Sequence, residues 1–132
     1  MRKIDTIVIH YSATPLDRDV TAADIRRWHR DRNWKDIGYH FVIRLDGTIE
    51  RGRPIGDIGA HVSGHNAHSI GICYIGGGTG QDTRTLDQRL SITALVNALR
   101  LVLPEPIRVV GHRDLAATLC PGYDVQKEWR NA

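Results

Sequence analysis

Several features that would mark a membrane, disulfide-rich or nucleic-acid-binding protein are absent from this sequence. No apolar run approaches the ~18 residues of a membrane-spanning helix, so we expect no membrane insertion. The chain has only two cysteines and enters its first apolar segment with no signal peptide, so we expect reduced thiols in a protein that is not exported. Basic runs of five or more residues are lacking and aromatic residues make up only 6% of the chain, so we expect no nucleic acid partner.

What is present fits one globular domain. The 132 residues are enough to bury a core without disulfide bonds, and 41% hydrophobic with 25% charged residues is an ordinary balance. No repeats, low-complexity tracts or linkers divide the chain, so we expect a single domain over residues 1–132, present as a monomer. The net charge of +3 is a mild bias that suits an anionic polymer as partner.

The order of apolar and polar segments predicts an α/β fold. Capping boxes at residues 21–24 and 85–88 each start a predicted helix, and a short helix is predicted over 124–129. Asp46-Gly47 predicts a hairpin turn, because glycine accepts positive φ. The predicted strands are residues 6–10, 39–44, 48–51, 69–75 and 107–110. Interleaving of this kind implies a central mixed β-sheet flanked by α-helices.

A cysteine and a histidine on one loop suggest a metal site. Cys120 is followed by Pro121 and preceded eight positions earlier by His112, in a stretch bounded by glycine and proline. Imidazole and thiol both bind a borderline-soft metal such as zinc. Two local ligands need a third from elsewhere and leave a fourth position for water, which is the layout of a catalytic site. A buried loop cysteine near an unrelated histidine explains the pair equally well.

His10 is the candidate for the third ligand. It ends the apolar strand 6–10, and the second apolar strand, 107–110, leads to His112 in the same manner. If the two strands lie side by side and parallel, their carboxyl ends bring His10, His112 and Cys120 together. Taken alone, His10 fits a satisfied core histidine better, whereas two histidines at strand ends plus Cys120 favour the ligand interpretation.

Tyr39 and Thr118 are the candidate catalytic residues. Alternation along the predicted strand puts Tyr39 and Phe41 on one face and His40 on the other. A phenol beside a bound substrate can donate a hydrogen bond to a developing oxyanion, a contribution on the order of 3 kcal/mol. A buried tyrosine with its hydroxyl satisfied is the alternative. Thr118 lies two positions before Cys120, which puts its hydroxyl within reach of the same site.

Two more histidines occur in the polar, glycine-spaced loop 59–66. His61 and His65 are four apart, a spacing that suggests a metal pair on a helix, but the glycines predict a loop. His61, His65 and Asn66 are therefore candidates for substrate contact, with plain surface equally compatible. Cys73 lies within a predicted strand and is expected to be a buried, inert thiol.

The predicted metal site is suited to hydrolysis. A zinc ion with three protein ligands and an open position lowers the pKa of bound water toward ~7 and polarises a carbonyl oxygen. With a proton donor nearby, hydrolysis of an amide or ester is the natural chemistry. The residue patterns alone predict a zinc hydrolase and do not name the bond that it cleaves.

A series of short motifs follows along the chain in a specific order. The motifs are Ile-Val-Ile-His10-Tyr-Ser-Ala-Thr, Arg27-Trp28-His29, Gly38-Tyr39-His40-Phe41, Asp46-Gly47, Gly59-Ala-His61, Ser69-Ile-Gly-Ile, Gly111-His112-Arg-Asp and Cys120-Pro121. In this order the sequence resembles amidase family 2, which contains phage lysozyme-type N-acetylmuramoyl-L-alanine amidases and the peptidoglycan recognition proteins. The resemblance covers residues 4–129, and the joint order is more specific than any one motif.

The resemblance implies a role for each matching position. In this family, residues matching His10, His112 and Cys120 bind one zinc ion per chain, and the tyrosine matching Tyr39 assists catalysis. The position of Thr118 is lysine in some phage and recycling enzymes and threonine in active recognition proteins. A hydroxyl supplies a weaker hydrogen bond than a cationic lysine, so we expect retained but altered activity.

The activity that the resemblance implies is cleavage of the amide between the lactyl group of N-acetylmuramic acid and L-alanine in peptidoglycan, with zinc and Tyr39 stabilising the oxyanion. The expected partner is thus peptidoglycan, both its N-acetylmuramic acid and its stem peptide. His61 and the loop to Asn66 are expected to line the groove for the stem peptide.

The biological role that the resemblance implies is that of a phage or prophage endolysin. Such an enzyme stays in the host cytoplasm until the membrane is permeabilised and is then released to the cell wall. A cytosolic muropeptide-recycling amidase is the enzymatic alternative. A non-catalytic peptidoglycan-binding module is disfavoured, because receptors of this type usually lose the cysteine ligand. Some phage relatives also inhibit a polymerase, so an additional intracellular protein partner is a further hypothesis.

Overall fold

A five-stranded β-sheet forms the centre of the computed structural model, which describes residues 1–129. The strands are β1 (Thr6–Tyr11), β2 (Phe41–Ile43), β3 (Ile49–Arg51), β4 (Ser69–Tyr74) and β5 (Arg108–Gly111). The helices are α1 (Ala22–Asp31), α2 (Leu86–Val102) and α3 (Val125–Glu128), with single 3-10 turns at Asn66–His68 and His112–Asp114. Among the described residues, no helix is long and apolar enough to cross a membrane.

The sheet is mixed, with strand order β3-β2-β4-β1-β5. β1 pairs in parallel with both β4 and β5, β2 pairs in parallel with β4, and β3 is antiparallel to β2. The β2–β3 hairpin turns at Gly47, whose φ of +88° matches the turn predicted there. The prediction of a single α/β domain with a central mixed sheet flanked by helices is confirmed. Because β1 and β5 are parallel neighbours, their carboxyl ends meet at one end of the sheet.

Different clusters are buried on the two faces of the sheet. On one face, Ile9 of β1 packs in the same cluster as Val96 of α2. On the other face, Cys73 of β4 packs with Ile25 of α1, and Cys73 is fully buried as predicted. Side chains alternate along a strand, so His10 points away from the face that Ile9 occupies and toward the α1 side of the sheet.

Both predicted capping boxes are present. The Thr21 hydroxyl accepts from the backbone N–H of Asp24, and the Asp24 carboxylate accepts from the backbone N–H of Thr21. The same reciprocal pair of bonds joins Thr85 and Gln88 at the start of α2. Each box satisfies two N–H groups that would otherwise lack an intrahelical partner.

The side chain of Gln88 also joins α2 to the sheet. It is fully buried, and its Nε2 donates to the carbonyl of Ile43 at 3.2 Å and to that of Ile75 at 2.9 Å. Its Oε1 accepts from the Thr85 N–H at 2.9 Å. One amide therefore bonds three backbone groups, at the ends of β2 and β4 and at the start of α2. The capping-box pattern indicated only the last of these contacts.

We expect the Gln88→Leu variant to lower the free energy of unfolding by about 3 kcal/mol, because leucine removes three hydrogen bonds to the backbone. The Ile75 carbonyl and the Thr85 N–H lose this partner, and the Ile43 carbonyl keeps only its bond from the Ile75 N–H. Urea denaturation followed by circular dichroism measures the change. The matched control is Asn97→Leu, which replaces an exposed amide on the same helix and should change stability by less than about 0.5 kcal/mol. A loss below about 1 kcal/mol in Gln88→Leu would contradict the bridging role.

Candidate active site

The carboxyl ends of β1 and β5 bring two imidazoles and one thiol together. One ligand atom from each of His10, His112 and Cys120 lies within 4.8 Å of the other two. The Nδ1 atoms of His10 and His112 are 3.2 Å apart. No second cluster of three or more histidine, cysteine or acidic side chains with this geometry occurs in residues 1–129. The structure thus places the three predicted metal ligands at one point.

His10 is held by the sheet itself. It is the fifth residue of β1 and lies beside Cys73 in the parallel pairing with β4. Its side chain is only 1% exposed. Burial lowers its pKa well below the ordinary histidine value, with the neighbouring rings of His61 and His112 adding to the effect. His10 is therefore a neutral imidazole, the form in which histidine binds a metal.

His112 and Cys120 are the ends of one closed loop. His112 directly follows β5, where the Gly111 N–H donates to the Asp114 carboxylate at 2.8 Å. The Arg113 N–H donates to the Cys120 carbonyl at 2.7 Å, which returns Cys120 to the side of His112. A side chain at Gly111 would lie 2.8 Å from the ring of Pro121, so glycine is needed for this close return.

The Cys120 sulfur is fixed against the end of β1. Its Sγ accepts a hydrogen bond from the Tyr11 N–H at 3.2 Å. The residue is 5% exposed, and burial raises the pKa of its thiol to about 11. The hydrogen bond from Tyr11 has the smaller, opposite effect on this pKa. A buried thiolate therefore needs a cation beside it, because the protein alone favours the neutral thiol.

The donor set fits a zinc ion. With Zn–N bonds of about 2.0–2.1 Å in a tetrahedral site, two nitrogen ligands lie roughly 3.3 Å apart. The separation of 3.2 Å between the two Nδ1 atoms is close to this value. Burial also lowers the pKa of His112, so both imidazoles are neutral. Two nitrogens and one sulfur leave a fourth tetrahedral position for a water or a substrate oxygen.

Tyr39 lies beside His10, on the opposite face of the sheet from Phe41. Its ring centroid is 5.1 Å from that of His10, whereas Phe41 packs in the cluster with α2. The alternation predicted for residues 39–41 is therefore wrong. β2 begins only at Phe41, and the carbonyls of Tyr39 and His40 both accept from the next segment, from the N–H groups of Arg53 and Gly52. Two successive carbonyls that point the same way break the strand alternation.

The environment of Tyr39 keeps its phenol protonated. Burial raises its pKa well above the ordinary value, and the thiols of Cys73 and Cys120 add to the increase. The hydroxyl is therefore protonated at neutral pH, and a side-chain hydrogen bond joins it to Cys73. Tyr39 also borders a cavity of about 120 Å³, so its side chain is open to a ligand. The other residues that line this cavity are Ser12, Ile25, Trp28, His29 and Arg32.

Thr118 contacts the backbone of the cysteine loop. Its half-buried side chain accepts a hydrogen bond from the Cys120 N–H at 3.3 Å. The hydroxyl thus lies next to a candidate metal ligand, as its spacing in the sequence suggested. This bond uses an oxygen lone pair and leaves the hydroxyl proton for another partner.

Two of the three candidate substrate residues in loop 59–66, His61 and Asn66, have hydrogen-bond partners inside the protein. Both ring nitrogens of His61 have partners inside the protein, Nδ1 with His10 at 2.9 Å and Nε2 with Ser69 at 3.2 Å. The Asn66 side chain accepts from the N–H groups of His61 and Val62, both at 2.9 Å, and so closes the loop. His65 packs edge-on against His68, and both line a cavity that Leu115 of the His112–Cys120 loop also borders.

His29 is a residue of the site that the residue patterns did not indicate. Its Nδ1 accepts from the Gly38 N–H at 2.9 Å, and its ring centroid is 5.7 Å from that of Tyr39. Burial lowers the pKa of His29 to about 4, so the ring is neutral and can accept this bond. His29 therefore supports the turn that carries Tyr39. The only signal for it was its place in the Trp28-His29 motif.

Comparisons with known proteins identify the family of the chain. The family model "N-acetylmuramoyl-L-alanine amidase" (Amidase_2) matches residues 1–123. The endolysin of Enterobacteria phage K11 is 38% identical over 123 residues, which are 90% of this chain and 81% of the endolysin. Among solved structures, the amidase LysC from Clostridium intestinale URNW superposes with a TM-score of 0.81 at 35% identity, covering 96% of this chain and 82% of LysC. A mutant of Drosophila PGRP-LB in complex with tracheal cytotoxin superposes with a TM-score of 0.85 at 26% identity, covering 99% and 84%.

The fold and the site define an α/β enzyme with its reactive groups at the carboxyl ends of parallel strands. Within that class, the chain belongs to the N-acetylmuramoyl-L-alanine amidase family. The prediction of an N-acetylmuramoyl-L-alanine amidase is confirmed.

Proposed function

We propose that the chain is a zinc-dependent amidase that serves as a phage or prophage endolysin. It cleaves the amide between the lactyl group of N-acetylmuramic acid and L-alanine of the stem peptide. One zinc ion is held by His10, His112 and Cys120. The observation that carries the proposal is the meeting of two neutral imidazoles, with nitrogens 3.2 Å apart, and one thiol. This donor set suits zinc in an open, catalytic site.

Zinc, when bound, polarises the scissile carbonyl and activates a water molecule. The chain supplies the remaining groups. Tyr39 donates a hydrogen bond to the carbonyl oxygen as that oxygen gains negative charge, in exchange for its bond to Cys73, and this lowers the barrier. The centroid of its ring lies 5.1 Å from that of His10, which puts the phenol beside the candidate metal ligands.

Thr118 adds a weaker hydrogen-bond donor at the same loop. Its oxygen accepts from the Cys120 N–H, and its remaining proton is directed to the substrate oxygen. A neutral hydroxyl stabilises negative charge less than a cationic lysine does. We therefore assign Thr118 a supporting part and Tyr39 the main one.

The role in lysis rests on the relatives that are endolysins, of which the phage K11 enzyme matches 90% of this chain. The complex of PGRP-LB with tracheal cytotoxin supports the presence of a binding groove on this fold. The net charge of +3 favours association with a wall polymer that bears carboxylates. Action on the wall from the host cytoplasm requires that another agent permeabilise the membrane first.

The test is hydrolysis of purified, intact sacculi by zinc-loaded protein. We expect newly exposed alanine amino termini to appear, to vanish when a chelator removes the metal and to return when zinc is added back. Soluble anhydro-muropeptides are assayed in parallel, because a recycling amidase cleaves these and leaves intact sacculi uncut. No release of amino termini by zinc-loaded protein overturns the proposed activity, and full activity after removal of zinc overturns the role of the metal.

A further inference from the structure

A chain of hydrogen bonds leads from the candidate metal centre into the protein. His10 Nε2 lies 2.9 Å from His61 Nδ1, and His61 Nε2 lies 3.2 Å from the Ser69 hydroxyl. The Ser69 hydroxyl in turn donates to the backbone carbonyl of His65 at 2.7 Å. Ser69 is fully buried in β4, so solvent does not compete for these bonds. We propose that His61 is a positioning residue that sets which nitrogen of His10 faces the metal.

The direction of the chain follows from the single proton of the Ser69 hydroxyl. A carbonyl only accepts, so that proton goes to His65. The bond between Ser69 and His61 must then use a proton on His61 Nε2. A neutral imidazole carries one proton, so His61 Nδ1 has a free lone pair and is an acceptor.

The same reasoning reaches His10. Because His61 Nδ1 accepts, the proton between the two rings belongs to His10 Nε2. His10 Nδ1 is then unprotonated, and this is the atom 3.2 Å from His112 Nδ1 in the candidate centre. Ser69 and His61 thus orient the His10 lone pair toward the position of the metal before any metal binds. The inference rests on the proposed function, because the orientation of His10 matters for a bound metal. The hydrogen bonds from which it is argued do not depend on a metal.

The fold makes specific room for the His61 ring. A side chain at Gly71 would lie 2.6–2.8 Å from three atoms of that ring, so β4 has glycine where the ring crosses it. The backbone of His61 is fixed as well, because its N–H donates to the Asn66 side chain at 2.9 Å. The imidazole is therefore held from both sides in the one orientation that joins Ser69 to His10. Partners of this kind commonly contribute 10- to 100-fold to metal affinity.

The first test is the tautomer of His10, read from the ring ¹⁵N shifts of the zinc-free protein. We expect both His10 and His61 to carry their proton on Nε2. In Ser69→Ala, which is a small change, we expect His61 to populate both tautomers and His10 to follow. A proton on His10 Nδ1 in the unaltered protein overturns the inference. This measurement needs no metal, so it decides the question even if the chain binds no zinc and the proposed function fails.

The second test is the zinc dissociation constant, measured by competition with a chromogenic chelator. We expect His61→Phe to weaken zinc binding by 10- to 100-fold and His61→Gln, whose side-chain oxygen can still accept from His10, to recover most of it. The control is His68→Phe, since His68 pairs with Asp5 away from the centre. Equal loss in His61→Phe and His61→Gln, or no loss in either, contradicts the positioning role. Melting temperatures of all variants show whether a loss reflects unfolding.

Discussion

The Cys120→Ser variant is expected to lose its bound zinc and to hydrolyse intact sacculi at least about 1,000-fold more slowly, a loss of about 4 kcal/mol in transition-state stabilisation. A serine hydroxyl keeps its proton at neutral pH and is a poor ligand for zinc. Only the two imidazole ligands then remain. In addition, the Tyr11 N–H, which bonds the Cys120 sulfur in the unaltered protein, loses its charged acceptor. Metal content by atomic absorption and release of alanine amino termini, measured on the same preparation, check the two losses together.

A matched control for this variant is Cys73→Ser, which makes the same change at the other thiol. Cys73 is fully buried on β4 and does not belong to the three-residue cluster. We expect Cys73→Ser to keep one zinc per chain. If Cys120→Ser also retained a full complement of zinc together with full activity, Cys120 would not be a ligand and the proposed centre would be wrong.

The three metal-ligand candidates could be predicted because each follows a strong local signal. His10 comes directly after a run of β-branched, apolar residues, and His112 follows a second such run after Gly111; these runs form the parallel strands β1 and β5. Cys120 lies on the same short loop as His112, so its proximity follows from chain length. The one assumption that the local signals left open was that β1 and β5 are neighbours, and their parallel pairing removes it.

The direction of Tyr39 could not be predicted, because it depends on contacts made by a distant segment. Strict alternation would have placed it with Phe41 against α2. The N–H groups of Gly52 and Arg53 instead bond two successive carbonyls, and the regular strand begins only after Tyr39. Nothing in residues 38–41 themselves records this pairing.

The hydrogen-bond partners of His61 could not be predicted for a similar reason. Its place in a polar, glycine-spaced loop suggested substrate contact or plain surface, whereas its partners, His10 and Ser69, come from β1 and β4. The absence of a side chain at Gly71 makes room for its ring, and that glycine is ten residues further along the chain. A motif search along one segment cannot show such a contact, although the glycine within an otherwise apolar strand was a sign of a close approach.

Tyr39→Phe is expected to lower kcat on sacculi by about 100-fold, with KM and zinc content nearly unchanged, because the removed hydroxyl acts only as charge develops in the transition state. Phenylalanine keeps the ring packing against His10 and His29, so the centre should stay intact. The high pKa of Tyr39 means that the phenol, and not a phenolate, is the acting form at neutral pH. Steady-state kinetics on wild type and variant at matched zinc content measure the effect.

The control for Tyr39→Phe is Tyr123→Phe, which removes a buried hydroxyl that has no hydrogen-bond partner among the described residues. Tyr123 packs under the guanidinium of Arg84 and against Tyr74, and it belongs neither to the three-residue cluster nor to the lining of the cavity beside Tyr39. We expect its kcat to stay within about two-fold of wild type, since no substrate contact is lost.

A Tyr39→Phe enzyme as active as this control would show that the metal and Thr118 suffice to stabilise the oxyanion. A rise in KM with unchanged kcat would place Tyr39 in substrate binding. Only a loss confined to kcat marks an interaction that is made in the transition state.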